Sequence, residues 1–312
     1  MKLPFISVIM PVYNDQEKVQ GALDSLLALD YPKEKYEIVI VDNNSTDNSY
    51  NVIQEFAKNH KRIKLLVEDK IQSSYAARNK GIKAARGKVL AFIDSDEQAC
   101  AEWLRKGMAC MTQSNADLIG GRVVIPKEEN EAIYAKYDRL VSFNQKKYVR
   151  DGWSGAGNLF VHKKVFADIG LFNSRLISGG DYEFSKRAVS AGYKLVYCKD
   201  AITYHPPRKT FQQHKNKALR LGKGKAQQHY LQRKGFSLRW FFHFLLLPAY
   251  TFTRLLLEKE NNPTDIIPVL IVAAIIGTIY SYSYTKNYIL LKLFRAGDTE
   301  TEQSSPNQKK SE

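Results

Sequence analysis

Cysteine is scarce in these 312 residues. Cys100, Cys110 and Cys198 are the three present, with no CxxC pair and no neighbouring histidine cluster. That argues against a disulfide scaffold and a structural zinc site, and favours a reducing, cytosolic setting. Residues 1–11 lack a basic stretch followed by a long apolar run, so no cleavable signal peptide is expected. No GxGxxG follows the first apolar run and no GxxxxGK(S/T) occurs anywhere. The usual glycine-assisted phosphate cradle is therefore missing. Acidic residues are absent from the whole of 201–239.

That last absence locates the charge. Lys+Arg 47 against Asp+Glu 32 gives a formal +15. Residues 201–239 hold ten basic groups, from Arg208 to Arg239, and carry +10 of it; residues 1–200 carry +5, and 240–312 cancel. With 44% hydrophobic and 12% aromatic residues, the chain has enough material for a large core, so general disorder is excluded.

Two apolar stretches follow the basic run: residues 236–257 (FSLRWFFHFLLLPAYTFTRLLL) and 266–284 (IIPVLIVAAIIGTIYSYSY), the second without a charge. A helix crossing the hydrocarbon needs about 20 largely apolar residues. The link between them, 258–265, is acidic by two, and Lys286, Lys292 and Arg295 follow the second. The positive-inside rule predicts a helical hairpin with both ends, and the catalytic half, on the cytoplasmic side of the cell membrane. Arg239, His243, Pro248 and Arg254 leave a second option for the first stretch, a helix lying in the interface. The organisation expected is a catalytic domain over 1–205, a basic juxtamembrane helical segment over 206–239, a membrane-associated hairpin over 240–295 and a disordered polar tail over 296–312.

Apolar, β-rich runs at 5–10 (FISVIM), 37–41 (EIVIV), 63–67 (IKLLV) and 89–93 (VLAFI) alternate with helical patterns at 19–27, about 47–58 and about 74–85. This predicts an α/β fold with a mostly parallel, doubly wound sheet, whose ligands bind beyond the carboxyl ends of the strands. Three successive strand ends carry Pro11-Val12-Tyr13-Asn14, Asp42, and Asp94 with Asp96. A diphosphate site without a glycine cradle needs positive charge from elsewhere. A divalent cation, Mn²⁺ or Mg²⁺, held by the Asp94-x-Asp96 carboxylates would supply it.

Five segments in order, SVIMPVYN (7–14), IVIVDNNSTDNS (38–49), AARNKGIKAARGKVLAFIDSD (76–96), GAGNLFVHKKVFADIGLFN (155–173) and GGDYEFSKRAVSAGYKLVY (179–197), resemble the family 2 inverting glycosyltransferases of GT-A fold. The resemblance covers roughly 5–205. It implies that Pro11, Tyr13, Asn14, Asp42, Arg78 and Asp94 bind a nucleotide-sugar donor, typically a UDP-sugar. It further implies that Asp96 and His205 reach the metal or diphosphate, and that Asp181 is the base that deprotonates an acceptor hydroxyl. Trp153, Gly155, Asn158 and Glu183 fall on the acceptor side. Inversion by one displacement needs a single base opposite the leaving group. Asp47 is read as a helix cap.

The chain departs from the family pattern in two places. The family usually has an acid immediately before the base, and here that residue is Gly180, leaving Glu183 as the neighbouring acid. The QxxRW motif of processive synthases is also missing, which favours one transfer per encounter. The expected partners are a nucleotide-sugar donor, a glycan or lipid-linked acceptor in cell-surface polysaccharide or glycolipid synthesis, and membrane lipid, with no nucleic acid. Two alternatives stay open. A sugar-nucleotidyltransferase shares the fold and the acidic site but requires a glycine-rich basic loop after the first strand. A non-enzymatic nucleic-acid or membrane binder would use the basic run directly.

Overall fold

The computed structural model describes residues 3–257 and 263–303. Residues 258–262 of the acidic link and the end of the expected tail, 304–312, lie outside the described residues. The chain divides into two compact units, residues 1–176 with 180–209, and residues 177–179 with 210–312.

In the first unit the chain runs β1 (Ile6–Val12), α1 (Val19–Leu27), β2 (Tyr36–Asp42), α2 (Ser49–Asn59), β3 (Ile63–Val67), α3 (Ser74–Ala84), β4 (Val89–Ile93) and β5 (Gln98–Ala99). It continues α4 (Trp103–Ser114), β6 (Leu118–Val124), α5 (Ile133–Val141), α6 (Gln145–Arg150), β7 (Asn158–His162), α7 (Lys163–Ile169), α8 (Gly180–Ser190) and β8 (Leu195–Tyr204). The strands form one sheet in the order β3-β2-β1-β4-β7-β6-β8-β5. β3, β2, β1 and β4 are mutually parallel; β7 runs antiparallel to both β4 and β6. The apolar runs of β1, β2 and β4 are buried on both faces, as central parallel strands must be, while β3 at the sheet edge is buried only at Ile63. Ile6, Val8 and Met10 of β1 pack with α1 and α4 on one side. Ile9 turns to the other side, where Leu90 and Phe92 of β4 meet α3, α7 and α8. Strand order reverses between β1 and β4, and it is at such a switch point that the carboxyl ends open a crevice.

The second unit is helical: α9 (Phe211–Leu231), α10 (Leu238–Phe241), α11 (His243–Leu257) and α12 (Pro263–Gln303). Thr210 closes a full capping box on α9 with Gln213. α9 lies tight on α12 because Gly222 has no side chain; a Cβ there would come within 2.6 Å of the Tyr280 carbonyl oxygen. Ser283 Oγ donates to the Leu219 carbonyl at 2.7 Å across the same contact. Ile266–Leu293 of α12, 28 residues with mean hydropathy 2.0, is the one candidate membrane span among the described residues. The expected pair of spans is thus reduced. α11 has 15 residues around Pro248, and at about 1.5 Å per residue it is shorter than a hydrocarbon core of about 30 Å. The backbone of α12 stays helical to Gln303, into the segment expected to be a polar tail.

Candidate active site

The rim above the switch point collects most of the expected residues. Pro11 is buried inside β1, in register with Val41, so it shapes the strand end and offers no side-chain donor. Tyr13 is exposed just beyond it. Asn14 ties the loop after β1 to the loop after β2: its Oδ1 accepts from Thr46 N at 2.7 Å, and its own N donates to Ser45 Oγ at 3.0 Å. Asp42 is 2% exposed. Its Oδ2 accepts from Ser45 N at 3.0 Å, while Oδ1 is buried without a hydrogen-bond partner. Asp47 caps the first turn of α2, accepting from Ser49 N at 2.9 Å.

At the end of β4, Asp94 pairs with the buried Arg78 guanidinium of α3. Asp96 faces His205 Nε2 at 3.4 Å and Lys18 Nζ at 4.0 Å. His205 follows β8 directly and is 3% exposed. Its Nδ1 lies 2.6 Å from the Pro206 carbonyl oxygen. A carbonyl only accepts, so Nδ1 carries a proton, and Nε2 is the ring nitrogen that faces Asp96. Arg208 Nη2 also approaches that nitrogen, at 3.3 Å. The same guanidinium is held by the fully buried Asp138 through Nη1 at 3.2 Å.

Glu97 was not singled out from the sequence, although it directly follows the Asp94-x-Asp96 pair. It is fully buried, and neither carboxyl oxygen has a hydrogen-bond partner. Burial first, then the charges of Asp94 and Asp96, push its carboxyl well above the ordinary glutamate range. The Thr203 hydroxyl lies close enough to offset this slightly without reaching hydrogen-bond geometry. Glu97 is thus a buried acid, set beside two others, whose neutral form is favoured by its surroundings. Its place explains Gly157: a Cβ there would come within 2.5 Å of Glu97 Oε1 and 3.2 Å of Asp94 Oδ2.

The loop before β7 links these acids to Asp181. Gly157 lies against Asp94 and Glu97, and Ala156 N donates to Asp181 Oδ2 at 3.3 Å. Gln145, another residue without a sequence signal, fixes that loop from below. Its Oε1 accepts from Gly155 N at 3.0 Å, and its Nε2 donates toward the Gly155 and Asn158 carbonyls at 3.3 Å. Asp181 sits in the first turn of α8, where negative charge is favoured. Its Oδ1 accepts from the Tyr75 hydroxyl at 3.2 Å and from Tyr182 N at 2.9 Å. Gly155 lines this carboxylate, 3.8 Å from a hypothetical Cβ to Oδ2.

Two residues expected on the acceptor side are placed elsewhere. Asn158 begins β7 fully buried; it accepts from Trp103 Nε1 at 2.9 Å and donates to the Ala201 carbonyl at 2.9 Å, so its amide serves the core. Glu183 is two residues beyond Asp181 on α8 and so turns to the opposite face of the helix. There it binds Arg187 at 2.9 Å, which in turn caps the carbonyls of residues 169–171. Trp153 is half-buried, stacked on Tyr148 at 4.0 Å and edge-on to Tyr182 at 5.5 Å.

This geometry can be set beside known proteins. The model of glycosyl transferase family 2 matches residues 7–166, and that of glycosyl transferase family group 2 matches 89–293. Glycosyltransferase AglE of Haloferax volcanii is 38% identical over 245 residues, covering 78% of this chain and 80% of its own. The dolichyl N-acetyl-alpha-D-glucosaminyl phosphate 3-beta-D-2,3-diacetamido-2,3-dideoxy-beta-D-glucuronosyltransferase of Methanococcus voltae is 27% identical over 254 residues, 77% of this chain and 78% of its own. A mannosyltransferase from Pyrobaculum calidifontis, solved in complex with GDP-Man and Mn²⁺, superposes with TM-score 0.55 at 15% identity, covering 94% of this chain and 75% of that one. TarS 1–349 of S. aureus with UDP-GlcNAc gives 0.52 at 18%, covering 94% and 92%. At these identities the two structures establish the shared GT-A-like fold. The family model spans more than half the chain, the Haloferax relative extends over four-fifths of its own length, and the acids it would need converge on one rim: the chain belongs to glycosyl transferase family 2.

Proposed function

We propose that this glycosyltransferase moves a sugar from a nucleotide-sugar donor to an acceptor hydroxyl with inversion, in cell-surface polysaccharide or glycolipid synthesis. The observation that carries the reading is the loop 155–157, which touches Asp94 on one side and Asp181 on the other. A donor-side acid and a candidate base would then lie on either side of one short loop. The buried, unpartnered Oδ1 of Asp42 would accept from the base edge of the nucleotide, and uracil offers an N–H for it. A buried acceptor left unpaired is costly, so a ligand that supplies a donor is favoured there. Tyr13 and Asn14 would flank the base, and Asp94, held by Arg78, would take the ribose.

A divalent cation, Mn²⁺ or Mg²⁺, fits the donor set of Asp96 and the Nε2 of His205. Among the described residues no three His, Cys, Asp or Glu side chains converge on one point. Asp96 and His205 would then hold the ion together with oxygens of the donor and water, the usual division for such ions. When bound, the ion supplies charge stabilisation at the departing diphosphate. The chain's own residues do the rest. Asp181 takes the proton from the acceptor hydroxyl as its oxygen bonds to the anomeric carbon. The bond to the diphosphate breaks on the opposite face, and the nucleoside diphosphate leaves with the electron pair.

A thermal-shift panel of nucleoside diphosphates with each cation tests this reading. The expected result is a stabilisation that needs both nucleotide and cation. Stabilisation by nucleic acid at moderate salt, with none by any nucleotide, would favour a polyanion binder instead.

The second unit supports a membrane anchor, and the acid-free basic run of 201–239 argues for the catalytic unit lying on the cytoplasmic side. On α12, Ile267, Ile271 and Ile275 are 69%, 53% and 45% exposed, which a helix buried in a soluble core would not tolerate. On α11, Leu245 and Leu256 are likewise exposed. Basic residues gather at the head of this bundle. Lys225 and Arg239 both lie over the Trp240 ring, at 4.7 and 5.4 Å. Burial, then Lys234 and Arg239, push the Lys225 ammonium down to about 8. Anionic headgroups or a lipid-linked phosphate acceptor would relieve that repulsion. Replacing Ile271 and Ile275 together by Glu is expected to release the chain from the membrane pellet, since a charge at mid-bilayer costs about 3 kcal/mol. Full retention after alkaline carbonate extraction would remove α12 as the anchor.

A further inference from the structure

Gly180, the residue that departs from the family pattern, stands where a side chain has no room. A Cβ there would fall 2.9 Å from two ring carbons of Tyr75 and 3.0 Å from a third. The ring is not free to swing aside. Tyr75 is buried, its centroid is 5.9 Å from that of Phe172, and the Arg78 guanidinium lies over its face at 5.7 Å. Its hydroxyl is the group that donates to Asp181 Oδ1 at 3.2 Å. The position before Asp181 is thus emptied of side chain, and the vacated space is filled from α3 by a neutral hydrogen-bond donor.

We infer that Tyr75 is a positioning residue for Asp181, orienting its carboxylate toward the acceptor, and that Tyr75 and Gly180 act as a matched pair in which each requires the other. The inference rests on Asp181 being the base. An acid at position 180 would place a second negative charge beside that carboxylate and would repel it. A phenol can orient the group by a hydrogen bond without adding charge. With Tyr75 and Tyr182 N on Oδ1 and Ala156 N on Oδ2, the plane of the carboxylate is fixed. Remaining lone pairs then point in one direction, as proton abstraction requires. Tyr75 also carries the guanidinium that pairs with Asp94. Removing its hydroxyl alone leaves that donor-side contact in place.

The test compares Tyr75→Phe, Gly180→Glu and the double variant Tyr75→Ser/Gly180→Glu in the full chain. Label transfer from the nucleotide-sugar donor is measured at saturating donor, together with Tm and the Kd of UDP with Mn²⁺. Tyr75→Phe keeps the ring, so it is expected to lower kcat about tenfold, the scale of a hydrogen bond to a charged group, with the UDP Kd and Tm little changed. A purely structural role would lower Tm and leave this split unseen. Gly180→Glu is expected to lose most transfer and stability, and the double variant to recover at least tenfold of that transfer. Wild-type kcat in Tyr75→Phe, or a Gly180→Glu enzyme as stable and active as the parent, would overturn the inference; so would a double variant no better than Gly180→Glu alone. The base assignment fails separately. If Asp181→Asn transfers normally, the base lies elsewhere whatever Tyr75 does; if Asp181→Asn is inactive and Tyr75→Phe is normal, only the positioning role falls.

Discussion

Asp181→Asn is expected to lower kcat for transfer about 1,000-fold, within the range that a positioned general base contributes. The substitution keeps size and shape but removes the acceptor of the proton. Three donors converge on the carboxylate: the Tyr75 hydroxyl, Tyr182 N and Ala156 N. An amide has one oxygen and one NH₂ group, so at least one of those donors then faces another donor. That mismatch costs about 1–3 kcal/mol of stability, a fall in Tm of several degrees, and the enzyme remains folded. The catalytic loss is about 4 kcal/mol, from 1.36 kcal/mol per tenfold change in rate, and so exceeds the structural one. Single-turnover transfer alongside nucleotide binding separates the two. Binding within about twofold of the parent, with transfer lost, is the expected pattern. Retained transfer would move the base to another residue, and lost binding would mean that the substitution has collapsed the 155–157 loop.

The architecture was legible because its strands are unusual in composition. Nearly continuous apolar runs such as ISVIM, EIVIV and VLAFI have no alternating polar face to turn outward, so they fit only the middle of a sheet covered on both sides; their two polar residues, Ser7 and Glu37, are buried against each other. The strand ends were legible for the same reason, since the first polar residue after such a run marks the rim. Residues that act through tertiary approach were not. Tyr75 lies 106 positions from Asp181 on a helix whose spacing says only that it packs inward. Gly180 was visible as an anomaly, but its cause is the ring of Tyr75. Glu97 is one more acid after Asp94 and Asp96 in the sequence, and only the structure shows the burial that sets it apart. Asn158 sits beside Gly155 and Gly157 in the sequence, yet β7 begins at this residue, and the alternation of the strand turns its amide inward to Trp103 and Ala201. The first apolar stretch was long enough by composition, yet the helix formed there covers 15 residues.

Asp96→Ala is expected to abolish cation-dependent donor binding while leaving the unliganded protein as stable as the parent, or more so. The two halves of this result have one cause. Asp94, Asp96 and Glu97 crowd the end of β4; burial raises the carboxyls of Glu97 and Asp15, and the charge of Asp96 adds to both. The partners of Asp96 do little to offset that crowding. His205 Nε2 is 3.4 Å away, beyond a close hydrogen bond, and Lys18 is 4.0 Å away and half exposed. Removing Asp96 therefore relieves repulsion without breaking a strong bond, so the site's acids are maintained against stability and need a ligand to justify them. In the parent, a nucleotide and cation at 100 times their Kd would add about 2.7 kcal/mol, a rise in Tm of about 5–10 °C for a unit of this size. In Asp96→Ala that rise should vanish at the same concentrations, which corresponds to at least a 100-fold loss of affinity. Scanning both proteins with and without UDP and Mn²⁺ reads all four states at once. An unchanged ligand-induced rise would place the cation on other residues. A large fall in the unliganded Tm would show instead that Asp96 supports the fold, through contacts stronger than the two described.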